Sequence, residues 1–161
     1  GTLHVAMEMF AASAGIKLLH IPFRGAGPAL NAILTGTVQA LASAPGTLKQ
    51  QVDDGKMRVL ANWGAERIAS FPDLPTFREL GYRDVEFYIW AGLFAQQALP
   101  APIMTRLREA MAQAVKSPEV IKTFETAGSP VAYLDAPEFS RFFETDSARL
   151  VAAVKKIGKV E

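Results

Sequence analysis

The 161-residue chain predicts an α/β fold, a parallel sheet covered by helices. Two observations carry that prediction. Short apolar runs bounded by Gly and Pro alternate with segments of helical period, and the connections between them are short. Half of the residues are hydrophobic and a fifth are charged, a globular composition. No apolar run approaches the roughly 20 residues of a membrane span.

Each element follows from its local pattern. Leu3, Met7, Phe10 and Ala14 form one face of an amphipathic helix that Gly15 closes. Residues 17–23 read as a first strand. Arg24-Gly25-Ala26-Gly27-Pro28 leads into a helix, because Pro28 suits a first turn, and Ala29, Leu30, Ile33 and Leu34 give it a buried face before Gly36. Residues 38–43 read as a second strand. Ala44-Pro45-Gly46-Thr47 opens a helix to about Asp54, closed by Gly55, and residues 57–63 read as a third strand. The crossovers between parallel strands are expected to be right-handed.

Pro72 and Pro75 make residues 67–76 a loop, and residues 77–80 form a short helix before Gly81. The run 85–95 is about twice an ordinary strand in length and carries Gly92 in its middle, so it reads as a strand that leaves one sheet and enters another. A helix with Ile103, Leu107, Met111, Ala114 and Val115 inward follows. Ser117 caps the next helix. Residues 131–134 form a last short strand, and Asp135 with Glu138 has capping-box spacing. They open a final helix with Phe139, Phe143, Leu150, Val154 and Ile157 on one face.

Composition excludes several classes of chemistry. With no Cys there is neither a disulfide framework nor a thiolate metal site. A net charge of +1 gives no reason to expect nucleic acid or an anionic membrane as partner. No nucleophile elbow, HExxH or P-loop is present, no His, Asp or Glu residues have metal-ligand spacing, and no carboxylate pair suggests acid/base work. His4 and His20 stand on different elements and read as packed or surface residues, and Asp53-Asp54 as a solvated pair. No catalytic residue, metal ligand or cofactor is expected. Gly1-Thr2-Leu3-His4 leads straight into a helical pattern with no signal-peptide features, which fits a cytosolic chain, a mature one or a piece of something longer.

One kind of site does have a physical basis. Gly25-Ala26-Gly27 follows a strand and opens a helix, where outward-facing N–H groups and the positive end of the dipole suit an anion. Glycine lets a ligand approach the main chain, and Arg24 adds a charged donor. The bland reading, a turn with glycines for geometry, stands beside it. A dinucleotide fingerprint would need glycine where Leu30 stands. Thr2 at the first helix start and Ser43 after the second strand are two further positions of this kind. All three fall at the carboxyl edge of the expected sheet, where ligands collect in open α/β folds. Trp63, Tyr88 and Trp90 read as core, with Trp90 at the crossing between lobes.

Taken in order, the motifs resemble a known family. They are Gly1-Thr2-x-His4, Phe23-Arg24-Gly25-Ala26-Gly27-Pro28-Ala29, Gly36-Thr37-Val38, the run 55–61, the run 67–76, Glu79-Leu80-Gly81-Tyr82 and the run 90–95. Together they resemble the Bug, or TctC-type, extracytoplasmic receptors of tripartite tricarboxylate transporters, over essentially the whole chain. The resemblance implies a periplasmic-binding-protein-like fold of type II, with residues 1–90 as lobe two and 91–161 as the returning segment of lobe one. It implies a non-enzymatic, periplasmic protein that holds a small carboxylate between lobes and delivers it to a membrane transporter. It also implies a signal peptide and most of lobe one upstream of Gly1. Carried over by position, the ligand-binding residues are Thr2, Phe23, Arg24, Gly25, Ala26, Gly27 and Ser43. Two departures bear on the ligand: Phe23-Arg24 stands where the family often has Tyr-Lys, and Gln39-Ala40 where it commonly has Asp.

Alternatives remain: a small α/β enzyme that binds a phosphate or nucleotide at the 25–27 loop, or an interaction module without small ligand. Lobe-one elements without partners would leave apolar faces and unpaired edges, so a homodimer is also expected.

Overall fold

The computed structural model describes residues 1–158, which form two compact units, Gly1–Ile89 and Trp90–Gly158. The first carries helices α1 (Thr2–Ala14), α2 (Ala26–Leu34) and α3 (Pro45–Asp53). The second carries α4 (Ala101–Ala114), α5 (Pro118–Thr126) and α6 (Ala136–Ile157). No helix among the described residues is long and apolar enough to cross a membrane.

The first unit owns a core. On α1 the deepest residues are Ala6, Met9 and Ala11, while Leu3, Met7, Phe10 and Ala14 are half-buried. Small side chains occupy the closest approach, and the larger ones pack around it. Gly15 ends α1 in the left-handed conformation, φ 66°, which lets its N–H reach back to Ala11 and Ala12. Phe77, Ala61 and Val85 form the centre, with Phe10, Trp63 and Tyr82 against them. Phe77 lies 4.6 Å from Phe10 and 4.8 Å from Trp63, centroid to centroid. Trp63 spends its one polar group on α1, where Nε1 donates to the Ala6 carbonyl at 3.1 Å.

The proline-rich loop is clasped from within. Thr76, 1 % exposed, and Glu79 form a reciprocal capping box: the Thr76 N–H donates to the Glu79 carboxylate at 2.7 Å and the Glu79 N–H to Thr76 Oγ1 at 3.0 Å. Arg67 donates from Nε to the same carboxylate and from Nη1 to the Pro72 carbonyl. The Arg67 guanidinium, and after it the Thr76 N–H, hold the Glu79 carboxyl below its ordinary range. Arg67, Thr76 and Glu79 are thereby explained as structural. The expected helix over 77–80 is instead a hydrogen-bonded turn, with the Tyr82 N–H returning to the Phe77 carbonyl.

The strands depart most from expectation. Residues 17–23, 38–43, 57–63, 85–95 and 131–134 lie outside the helices, yet none pairs in a ladder among the described residues. Two isolated bridges occur, Asn62 with Thr76 in parallel sense and Ile68 with Phe71. The reason is physical. A β-branched apolar run specifies an extended backbone locally, but a parallel ladder is made by a distant neighbour whose register the run does not contain.

The second unit is built differently. No residue of α4 or α5 is buried, and α6 buries only Asp146. That carboxylate, 4 % exposed, accepts from Trp90 Nε1 at 3.0 Å and Arg149 Nη2 at 2.6 Å. Trp90 stands edge-on to Phe139, Phe142 and Phe143. A Cβ at Gly92 would fall 2.5 Å from the Phe139 ring, so any larger residue here would have to displace that ring. The expected inward residues Ile103, Leu107, Phe143 and Val154 are all exposed.

The starts of α5 and α6 are sealed by side chains. Ser117 Oγ accepts from the Val120 N–H at 3.3 Å, as a cap should. Asp135 caps α6 by accepting from the Ala136 N–H at 2.8 Å. The expected box with Glu138 does not close. Arg108 grips the Asp135 carboxylate with Nε and Nη2, and Glu138 pairs with Arg141 instead. The Arg108 fork, then the Ala136 N–H, keeps the Asp135 carboxyl well below the usual carboxylate range. Beside that ion pair lies an open hollow of about 270 Å³ lined by Thr105, Arg108, Glu109, Ala112 and Asp135.

Candidate ligand-binding site

The expected ligand residues all stand at helix starts of the first unit, and those starts share one property. None of α1, α2 and α3 has a side-chain cap, and none has an acidic residue in its first turn. A helix leaves its first N–H groups without intrahelical acceptors, and a cap or a carboxylate normally answers them. Here they are left to solvent or to a ligand.

The glycine loop is the most open of the three. Gly25 is the N-cap of α2, with φ 107° and ψ 172°, a conformation reserved in practice for glycine. Ala26, Gly27 and Pro28 form the first turn, and Pro28 has no N–H to leave unanswered. The N–H groups of Gly25, Ala26 and Gly27 therefore form the donor set of this helix start. Phe23 to Pro28 are exposed, and space is open where a Gly27 side chain would begin. Arg24 is exposed and makes no ion pair among the described residues.

Thr2 is the first residue of α1, exposed, with Gly1 as N-cap. Its hydroxyl does not cap the helix, so it stands beside the free N–H groups of Thr2 and Leu3. Ser43 is half-buried and precedes the N-cap Ala44 of α3, whose extended φ, ψ of −70° and 145° lead into Pro45. With Pro45 lacking an N–H, Ala44 and Gly46 supply the donors there.

One contact, with no local pattern to announce it, joins two of these loops. His4, in the first turn of α1, stacks on His20, which precedes the glycine loop, at 3.8 Å between centroids and 19° between planes. No hydrogen bond or ring contact among the described residues ties Ser43 to the other two. A second feature hidden in the sequence is Asn62, at the end of the expected third strand. It is buried, its Oδ1 accepts from the Gly64 N–H at 2.8 Å, and its Nδ2 has no partner among the described residues. A polar residue directly after the apolar Val59-Leu60-Ala61 was the available signal. No group of three or more His, Asp or Glu among the described residues is placed to hold a metal ion.

Comparison with known proteins supplies the context for these helix starts. The chain is 30% identical over 157 residues to the UPF0065 protein in the gbd 5' region of Cupriavidus necator, covering 98% of this chain and 47% of that one. It spans about half the length of the curated relatives of this kind. Among solved structures it superposes on a TctC solute-binding protein from Polaromonas with a TM-score of 0.83, at 28% identity, over 97% of this chain and 54% of the other. It also matches an R. palustris protein solved with adipate, with a TM-score of 0.76 at 25% identity, over 96% of this chain and 52% of the other. These likenesses place the fold in the α/β class of TctC-type solute-binding proteins. The tripartite tricarboxylate transporter receptor family matches residues 1–159, so the chain belongs to that family.

Proposed function

We propose that this chain forms part of a periplasmic receptor that captures a small carboxylate and hands it to a tripartite tricarboxylate transporter, without catalysing a reaction. The observation that carries the proposal is the set of three bare helix starts in the first unit, in a chain of this family. A carboxylate placed there accepts from main-chain N–H groups and meets the positive ends of helix dipoles. Thr2, Phe23, Arg24, Gly25, Ala26, Gly27 and Ser43 are the residues assigned to it. The adipate in the R. palustris relative supports the ligand class. We assign residues 1–90 to lobe two of a type II binding protein and 91–161 to the returning part of lobe one. Closure of the lobes around the ligand satisfies both sets of donors at once, which favours the closed form only when ligand is present.

The test is a thermal-shift screen of mono-, di- and tricarboxylates on this chain and on a chain extended upstream to the length of its relatives. Stabilisation of the extended chain alone is expected. Tight binding by the shorter chain would refute the split site, and a flat screen with both would remove the carboxylate. Phosphate and nucleotide belong in the same screen, since stabilisation by them would favour the enzyme reading of the 25–27 loop.

A second reading concerns assembly. Leu93, Phe94, Ile103, Leu107, Ile121 and Phe124 of the second unit are exposed. A second copy of the chain is proposed to cover such side chains, because unit 2 by itself buries no apolar side chain among its described residues. Light scattering of the isolated chain should give a dimer, and a monomer at all concentrations would exclude it.

A further inference from the structure

The two histidines of the chain meet ring on ring. His4 is the third residue of α1, its side chain 9 % exposed, and its Nε2 lies 3.3 Å from Glu8 Oε1 one turn on. His20 belongs to the exposed segment that enters the glycine loop, three residues before Phe23. The stack therefore ties the α1 start, with Thr2, to the segment that delivers Phe23 to Gly27. Nothing in core packing asks for histidine at both places, since any two flat rings would stack.

Imidazole is distinguished from other rings by its titration near neutrality. Neutral rings stack through their apolar faces. A positive charge on His20 lies against the His4 ring and near the N-terminal end of α1, whose dipole disfavours a cation. The charged group facing the pair is Glu8, which offsets one positive charge.

We propose that His4 and His20 are a positioning pair: their neutral stack holds the Thr2 and Phe23–Gly27 loops in the arrangement that receives carboxylate, and protonation of His20 releases it. The proposal rests on the reading of these loops as the carboxylate site. Its direction is opposite to simple charge attraction, in which added positive charge would strengthen anion binding.

Burial, then the charge of His4, lowers the His20 pKa from its ordinary 6.5, against the opposing pull of Glu8. The neutral stack is thus favoured in full above about pH 6.5 and is lost as pH falls through the lowered value.

Two measurements test this, and the first needs no ligand. NMR titration of the present chain from about pH 8 to about pH 5 should show the Gly25 and Gly27 amide signals moving with the His20 imidazole. In His20→Phe, which keeps a ring but cannot titrate, they should stay still over that range. Loop amides indifferent to His20, or equally responsive in His20→Phe, would overturn the pair. The second measures dissociation constants for a dicarboxylate such as adipate against pH on the upstream-extended chain. Affinity should weaken on acidification with a limiting slope of about tenfold per pH unit. His20→Phe should bind at every pH as the parent does at neutral pH, and His20→Ala should bind weakly throughout. Affinity that rises on acidification, or His20→Phe behaving like His20→Ala, would sink the proposal. If no carboxylate binds at all, the assignment of the site fails, and the amide titration still decides whether the pair couples the loops.

Discussion

The two units treat their helix starts in opposite ways. In the second, Ser117 and Asp135 seal α5 and α6, and Glu119 and Glu138 stand in their first turns. The Pro-capped α4 is the exception there. In the first unit α1, α2 and α3 have neither cap nor first-turn acid. The core is distributed the other way. Every buried apolar side chain among the described residues belongs to the first unit, and the second buries only Asp146. The unit with its own core is the one that leaves helix ends unanswered. A tightly packed scaffold can hold main-chain donors toward a ligand without capping them, whereas helices with little burial depend on their caps.

The sharpest way to break the comparison is to remove the core. Phe77→Ala takes out the ring shared by Phe10, Trp63 and Tyr82 and should cost about 3–5 kcal/mol. Denaturant unfolding followed by Trp63 fluorescence reads the loss, while the Trp90 cluster of the second unit should report little change. Gly25→Ala is expected to cost roughly 1–3 kcal/mol, because a side chain is forced into φ 107°. Its thermal melt and its carboxylate response should both fall, and an unchanged melt would show that the α2 start is not held as described.

The smallest change sharpens the comparison most. Ala44→Asp gives α3 the cap that α5 and α6 already have, on a backbone already in the extended conformation of an N-cap. It should stabilise the chain by about 1 kcal/mol and, on the proposed assignment of the site, weaken carboxylate binding, since the new carboxylate takes the N–H groups at the α3 start. Gains in both stability and affinity would mean that α3 takes no part in the site.

Much of this was legible locally. The starts and stops of α1, α2 and α3 follow from Gly1, the Gly25 loop, Pro45 and the glycines that end them, and the Ser117 cap is read from a Ser-Pro-Glu run. These signals act within one or two turns, so a sequence states them directly. The order of short motifs from Gly1 to Ala95 also carried the family. The candidate residues were legible as helix starts for the same local reason.

Other features required the chain to meet itself. Asp135 looked like half of a box with Glu138, but a guanidinium twenty-seven residues away claimed it. Thr76 and Glu79 made the box instead, inside a loop whose prolines hid it. The extended runs have the pattern of strands, yet a ladder depends on a neighbour's register that no run encodes by itself. His4 and His20 are separated by a whole helix in sequence and by 3.8 Å in space. The amino-acid sequence by itself determined the helices, the donor loops and the family. Tertiary structure alone decided which of those loops are joined and which side chains are already taken, because a ring stack or an ion pair depends on distance in space and a local pattern holds no such distance.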